Sequence, residues 1–234
     1  MSITENNICI IPARGGSKRI PKKNIKSFLG MPIIVYSIKA ALNSSLFKEV
    51  MVSTDDHEIA EIAICNGAKV PFMRSCENSD DYASTISVIK EVISKYELEG
   101  KEFHNICCIY PTAPFVDASV LYKSYSLFKD GSFDSLFPVI RFDYPIQRAL
   151  VLRNGKYIYN ESQYANTRSQ DLEDMYHDAG QFYWLTHKML SSSDSIITEN
   201  TGALVISGLH GQDIDTFVDW KLAEIKYELL QSIK

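Results

Sequence analysis

The sequence predicts an α/β protein built on a mostly parallel sheet covered on both faces. Three observations carry this. Short apolar runs alternate with helical patterns through the first half of the chain, the order that places helices on both sides of parallel strands. The 234 residues suit one such domain with a small appendage better than two equal domains. A hydrophobic fraction of 45% with 23% charged residues is ordinary for a globular protein, and gives a core large enough to need no disulfide or structural metal.

The elements follow in order. Residues 7–12 (NICIIP) form a short apolar strand, after which the chain enters a basic loop. Pro32 opens a helical pattern that runs to Leu42, with proline in the first turn, where its missing N–H is tolerated. Residues 49–53 are the second strand, and Thr54-Asp55-Asp56 can cap a helix that runs to about Cys65 and stops at Asn66-Gly67. Residues 68–72 read as a third strand, 84–96 as an amphipathic helix, and 105–110 as a fourth strand broken by Pro111-Thr112-Ala113-Pro114. A helix over 117–128 and a fifth strand over 134–140 complete the alternation. Between residues 143 and 174 the pattern changes to runs flanking Asn154-Gly155, a strong hairpin signal. This segment is read as a β-rich extension within the single domain, a candidate dimer arm. Strands return at 180–185 and 203–207, and a helix over 216–232 closes the chain.

Charge and cysteine usage narrow the function. A net charge of −5 argues against a general nucleic-acid binder. The balance is nevertheless uneven, because residues 6–48 hold eight basic side chains and no acidic one. A basic loop on an acidic protein suits a small polyanion. The five cysteines (Cys9, Cys65, Cys76, Cys107 and Cys108) are odd in number and form no C-x-x-C. They read as reduced thiols in a cytoplasmic protein. No run opens the chain as a signal peptide or reaches the length of a membrane span, so no membrane partner is expected.

In such sheets ligands sit at the carboxyl ends of the strands, near the switch point. Directly after the first strand stands the run Ile11–Asn24, IPARGGSKRIPKKN. Gly15 and Gly16 let the backbone bend and bring N–H groups close to a phosphate. Arg14 can grip phosphate oxygens as a planar fork, with Lys18 and Lys23 as point charges. A solvated basic loop is the competing reading, which the glycine turn at the ligand-binding end disfavours. Neither G-x-x-x-x-G-K-[ST] nor G-x-G-x-x-G is present in this loop. A second feature is Asp213-Ile214-Asp215 with Asp219. Residues two apart in an extended segment share a side, and two such carboxylates suit Mg²⁺ bound also by phosphate oxygens. Capping of the last helix by Asp215 or Thr216 explains the pattern equally well. A polyphosphate loop and a carboxylate pair together point to phosphoryl or nucleotidyl transfer.

At these residues the chain resembles the CMP-sugar synthetases, cytidylyltransferases for sialic acid and related nonulosonic acids. The resemblance rests on the IPARGGSK-x-x-P-x-KN signature and extends along nearly the whole chain. It implies a Rossmann-like nucleotidyltransferase with an extension that joins a homodimer. It implies attack of a sugar's anomeric hydroxyl on the α-phosphate of CTP, with Mg²⁺ as cofactor. The matching residues for the CTP phosphates are Arg14, Ser17, Lys18, Lys23 and Asn24, with Arg74 and Thr85 in a segment that seats the nucleotide. Asp213 and Asp215 match the metal-binding aspartates. Tyr110 precedes Pro111-Thr112 where sialic acid enzymes carry Gln, and Tyr176-His177-Asp178-Ala179-Gly180-Gln181-Phe182-Tyr183-Trp184 stands where they carry Asn-Gly. Together with residues 137–147 (FPVIRFDYPIQ) these departures resemble the pseudaminic acid branch. A sugar site is therefore expected at Tyr110, Arg168, Gln170, His177, Gln181 and Phe182. Arg168 reads equally as a surface arginine, whereas His177 with Asp178 reads more readily as a structural pair, and the Phe182–Trp184 cluster more readily as core. Sialate or legionaminate synthesis is the nearest alternative, and a nucleotide-binding module without turnover is the alternative from another class.

Overall fold

The structure, a computed structural model, describes residues 6–80 and 83–233. In chain order its strands and helices are β1 (Asn7–Pro12), the two-residue strands β2 (Ser27–Phe28) and β3 (Met31–Pro32), α1 (Ile33–Ser44), β4 (Glu49–Ser53), α2 (His57–Cys65), α3 (Thr85–Leu98), β5 (Asn105–Ile109), α4 (Ala118–Asp130), β6 (Ser135–Arg141), β7 (Leu150–Arg153), β8 (Lys156–Tyr159), β9 (Tyr176–Asp178), β10 (Phe182–Thr186), α5 (His187–Ser192), β11 (Thr201–Ile206) and α6 (Phe217–Ser232).

Side-chain caps set most helix starts. Asp56 accepts from the N–H groups of Glu58 and Ile59, Ser84 from Ser87, and Asp117 from Val120. Thr216 and Asp219 form a reciprocal capping box at α6. Pro32 stands in extended conformation at the cap position of α1, so that helix begins one residue later than the sequence pattern suggests. The expected third strand at 68–72 is reduced to one parallel bridge between Lys69 and Met51. Pro71 follows two residues on and has no N–H to extend the ladder. Helix α5, absent from the sequence reading, is a short turn capped by Thr186.

The strand order in the main sheet is β11-β6-β10-β5-β1-β4, with β9 added antiparallel to β6. Strand β1 pairs parallel with both β4 and β5, and β11 pairs parallel with β6. Strand β10 lies antiparallel between β5 and β6. The sheet is thus mostly parallel with antiparallel members toward one side. The chain leaves β1 for β4 on one flank and returns to β5 on the other, which makes the β1–β5 boundary a switch point.

Alternation along each strand divides the core. Cys9 and Ile11 of β1 face a layer built with Ile34, Ile38, Leu121 and Phe128 of α1 and α4. Ile8 and Ile10 face the opposite layer, built with Ile86, Ile89, Val92 and Tyr96 of α3. A third cluster joins Phe28, Ile33 and Tyr36 to Ile214, Trp220 and Leu230, and so fixes α6 against the loop that follows β1. In the 143–174 segment the strand structure is confined to the β7–β8 hairpin, turned by Asn154 and Gly155 at φ 51° and 72°. Its remaining regular pieces are single 3-10 turns.

Trp184 is the largest anchor of the first layer. It is fully buried, stacks on Phe47 at 5.3 Å between ring centroids, and donates its indole N–H to Ser124 Oγ at 2.9 Å. Trp184→Ala is expected to cost about 3–5 kcal/mol, read as a lowered urea midpoint with an unchanged slope.

Candidate active site

The loop after β1 is held by bonds that reach across the switch point. Ala13 N–H donates to the Ser53 carbonyl and Gly15 N–H to Asp55 Oδ1, each at 2.9 Å. Asn24, buried, donates its side-chain amide to the Arg14 carbonyl at 2.9 Å. A Cβ on Gly15 would lie 2.7 Å from Asp56 Oδ2, so glycine is what allows the loop to approach the α2 cap.

A cavity of about 260 Å³ opens between this loop and the end of β5. Arg14, Ser17, Lys18 and Lys23 line one wall, and Arg74, Thr85 and Tyr110 line the other. Arg74 is buried. Its backbone N–H donates to the Thr54 carbonyl at 2.8 Å, and its guanidinium donates to Ser53 Oγ at 3.1 Å and to the Ser53 carbonyl. Burial lowers its pKa and Arg14 lowers it further, while Asp55 and Glu91 oppose the shift. The Arg14 guanidinium donates to the Asp80 carbonyl at 3.0 Å. The adjoining positions 81 and 82 of the expected nucleotide segment lie outside the described residues.

Segment 213–215 is tied to this cavity through Arg19 and Lys23 and reaches a second one. Ile214 is buried, so alternation turns Asp213 and Asp215 outward. Asp215 accepts from Arg19 at 2.7 Å and sits 3.6 Å from Lys23, whose ammonium also donates to the Ile214 carbonyl at 2.7 Å. Arg19 and Lys23 line the first cavity, whereas Asp213 lines the second, a space of about 780 Å³ beside Arg141, His177 and Asp178. Desolvation and the Asp215 charge raise the Asp213 pKa, with Lys23 opposing. The α6 cap is made by Thr216 and Asp219, which leaves both aspartates to this junction. Among the described residues no cluster of three or more His, Cys, Asp or Glu side chains forms a metal cage. Two repelling carboxylates beside a cationic cavity instead fit a Mg²⁺ ion that takes its remaining ligands from phosphate and water.

The residues expected around a sugar separate into groups. Tyr110 lines the first cavity, shares a 2.9 Å hydrogen bond with Thr85, and packs 5.3 Å from Tyr183, whose hydroxyl donates to Asp178 Oδ2 at 2.7 Å. Burial raises both tyrosines, which stay neutral at physiological pH. His177 is exposed along the second cavity, packed 5.0 Å from the Phe142 ring. Gln181 is buried and donates to the His210 carbonyl, and Phe182 is fully buried in the core, so neither presents a surface to a ligand. Arg168 is exposed in the extension, and Gln170 lines a groove beside Arg141 and Tyr144.

Sequence reasoning missed Arg19, whose partner Asp215 is 196 positions away. It also missed Glu91, which accepts from Ser75 N–H and Oγ at 2.9 Å, Asn78 at 2.6 Å and Lys95 at 2.6 Å. This carboxylate ties α3 to the segment that carries Arg74 and the Asp80 carbonyl. Neither residue carries a local pattern that marks its role.

A Rossmann-like sheet with a cationic glycine loop at its switch point and a facing carboxylate pair defines a nucleotidyltransferase class of site. The chain belongs to the cytidylyltransferase family, whose model matches residues 8–211. It is 45% identical to a Pseudaminic acid cytidylyltransferase of Campylobacter jejuni serotype O:2, over 95% of this chain and 97% of that protein. It is 31% identical to a CMP-N,N'-diacetyllegionaminic acid synthase of Legionella pneumophila, over 96% and 97%. Its fold matches that of a CMP:2-keto-3-deoxy-manno-octonic acid synthetase complexed with CTP at a TM-score of 0.70 and 17% identity, covering 97% of this chain and all of that one.

Burial alone would raise the Glu91 pKa, but its hydrogen bonds with Lys95, Asn78 and Ser75 outweigh that and bring it from 4.5 down to about 2. A depressed carboxylate stabilises the fold above its unfolded pKa and loses that contribution as pH falls through the folded value. Glu91→Gln is therefore expected to cost about 2 kcal/mol near pH 7. The gap to wild type should close between pH 4.5 and about 2, measured as urea midpoints across that range.

Proposed function

We propose that this chain transfers CMP from CTP to the anomeric hydroxyl of pseudaminic acid and releases pyrophosphate. The observation that carries the reading is the segment 213–215, where Asp215 is paired with Arg19 and Lys23 of the cationic cavity and Asp213 lines a roomier one. The full-length likeness to the Campylobacter enzyme supports pseudaminic acid as the acceptor. The hydroxyl oxygen bonds to the α-phosphorus, the bond to the β-phosphate oxygen breaks with its electrons leaving on pyrophosphate, and the hydroxyl proton passes to solvent. No protein nucleophile takes part.

Arg14, Lys18 and Lys23 bind the triphosphate oxygens, with Gly15, Gly16 and Ser17 shaping the loop and Asn24 holding it. Buried Arg74 and Thr85 seat the nucleotide from the facing wall. Tyr110 and His177 border the acceptor. Asp213 and Asp215 would hold Mg²⁺, which when bound offsets charge on the α-phosphate and the leaving pyrophosphate. The 143–174 extension is assigned to a homodimer arm, supported by Leu150, Leu152 and Tyr157 lying more than half exposed. The cytoplasm is proposed as its compartment, in keeping with the free thiols Cys9, Cys107 and Cys108, which burial raises well above the ordinary range.

The first test mixes the protein with CTP, Mg²⁺ and pseudaminic, legionaminic or N-acetylneuraminic acid, and identifies products by mass and retention. A CMP conjugate of pseudaminic acid alone is expected. A conjugate with another member keeps the chemistry and removes the acceptor assignment, and CTP binding without pyrophosphate release removes catalysis. Asp213→Ala is expected to lower kcat on the order of a hundredfold, with partial recovery at raised Mg²⁺. Lys18→Ala should raise KM for CTP while leaving KM for the sugar nearly unchanged, in steady-state titrations of each substrate.

A further inference from the structure

Helix α6 is apolar on two opposite sides. Trp220, Ala223 and Leu230 pack into the core against Phe28 and Tyr36. The outward side carries Val218, Leu222, Ile225 and Leu229, continued by Ile233 just past the helix, exposed to 69, 45, 61, 48 and 67%. A helix that only covers a core needs one apolar stripe, and a contiguous exposed one marks an interaction surface. Successive members of the outer stripe stand four, three and four residues apart within the helix. That is the 3.5-residue repeat at which two helices pack side by side.

We propose that this stripe is an interface between two copies of the chain, with α6 of each packed antiparallel on α6 of the other. Antiparallel packing about a two-fold axis sets Val218 against the partner's Leu229 and Leu222 against the partner's Ile225. The flanking charges then decide orientation. Lys221, exposed and paired with Glu224 of its own chain at 2.6 Å, comes beside the partner's Glu228, and the symmetry repeats the pair. A parallel arrangement would instead bring Lys221 beside the partner's Lys226. On the far flank Asp219 and Lys226 are also of opposite sign, though both serve their own chain: Asp219 in the α6 cap, and Lys226 on the Gly208 and Gly211 carbonyls. The helix holds three acidic and two basic side chains, a balance that does not suit an anionic lipid surface. The stripe is separate from the β7–β8 hairpin. If both surfaces are occupied, two different two-fold interfaces close a tetramer.

Sedimentation equilibrium on the intact chain tests this. Leu222→Glu/Ile225→Glu should halve the mass of the wild-type assembly while far-UV circular dichroism stays unchanged. Lys221→Glu and Glu228→Lys, each alone, should weaken association about tenfold by setting like charges together, and the double swap should restore it. A wild-type chain that is monomeric at micromolar concentration overturns the proposal, as does a mass unaffected by the Leu222/Ile225 variant. Failure of the double swap to restore association overturns the antiparallel α6 pairing.

Discussion

Arg14, Lys18, Arg19, Lys23 and Arg74 all line one cavity of about 260 Å³, and the architecture around it is shaped by the need to hold those charges together. Burial lowers the Arg74 pKa, and repulsion from Arg14 adds to that in the same direction. The protein offsets it with carboxylates drawn from distant parts of the chain. Asp55 comes from the end of β4, Glu91 from α3, and Asp215 from the segment before α6. Each carboxylate also fixes backbone or side chain: Asp55 takes the Gly15 N–H, Glu91 takes the Ser75 N–H, and Asp215 takes Arg19. Charge balance and loop geometry are thus one set of interactions.

This explains why α6 is pinned where it is. Its inner face shares a cluster with Phe28, Ile33 and Tyr36 from the stretch that follows the loop. Edge-to-face contacts of Phe28 with Tyr36 at 5.4 Å and with Trp220 at 5.6 Å tie the start of the chain to its end. Ile214 belongs to the same cluster, so the burial of one apolar residue sets the direction of the two aspartates beside it. Packing therefore positions the carboxylates, and their remaining ionic contacts adjust the loop.

The other side of the cavity is tuned by burial. Tyr110 and Tyr183 are neutral hydroxyl groups in a hydrogen-bonded row running from Thr85 to Asp178. In the proposed reading such a row would meet the acceptor's hydroxyls and amides with fixed geometry, and a polar site of this kind discriminates strongly against a partner that leaves one member unpaired. The buried thiols of Cys9, Cys107 and Cys108, on the two faces of the sheet, stay protonated for the same reason that the tyrosines stay neutral: the low dielectric disfavours their charged forms.

The sequence by itself determined the alternation of the main strands and helices, though not β2, β3, β9 or α5, because apolar alternation and helix starts are set locally; Asp56, Ser84, Asp117 and Thr216 cap at the starts of their helices. It marked the glycine-rich cationic loop that lines the first cavity, since paired glycines and clustered cations in one run are legible without a fold. It overstated the strand at 68–72, where Pro71 removes a donor that only matters once a neighbouring strand is known. Tertiary structure alone decided that Gln181 and Phe182 are buried, because the antiparallel insertion of β10 between β5 and β6 places that strand where both of its faces are covered. It alone paired Arg19 with Asp215 and gave Glu91 its loop, because such contacts depend on where packing brings distant segments, and no local pattern records that distance.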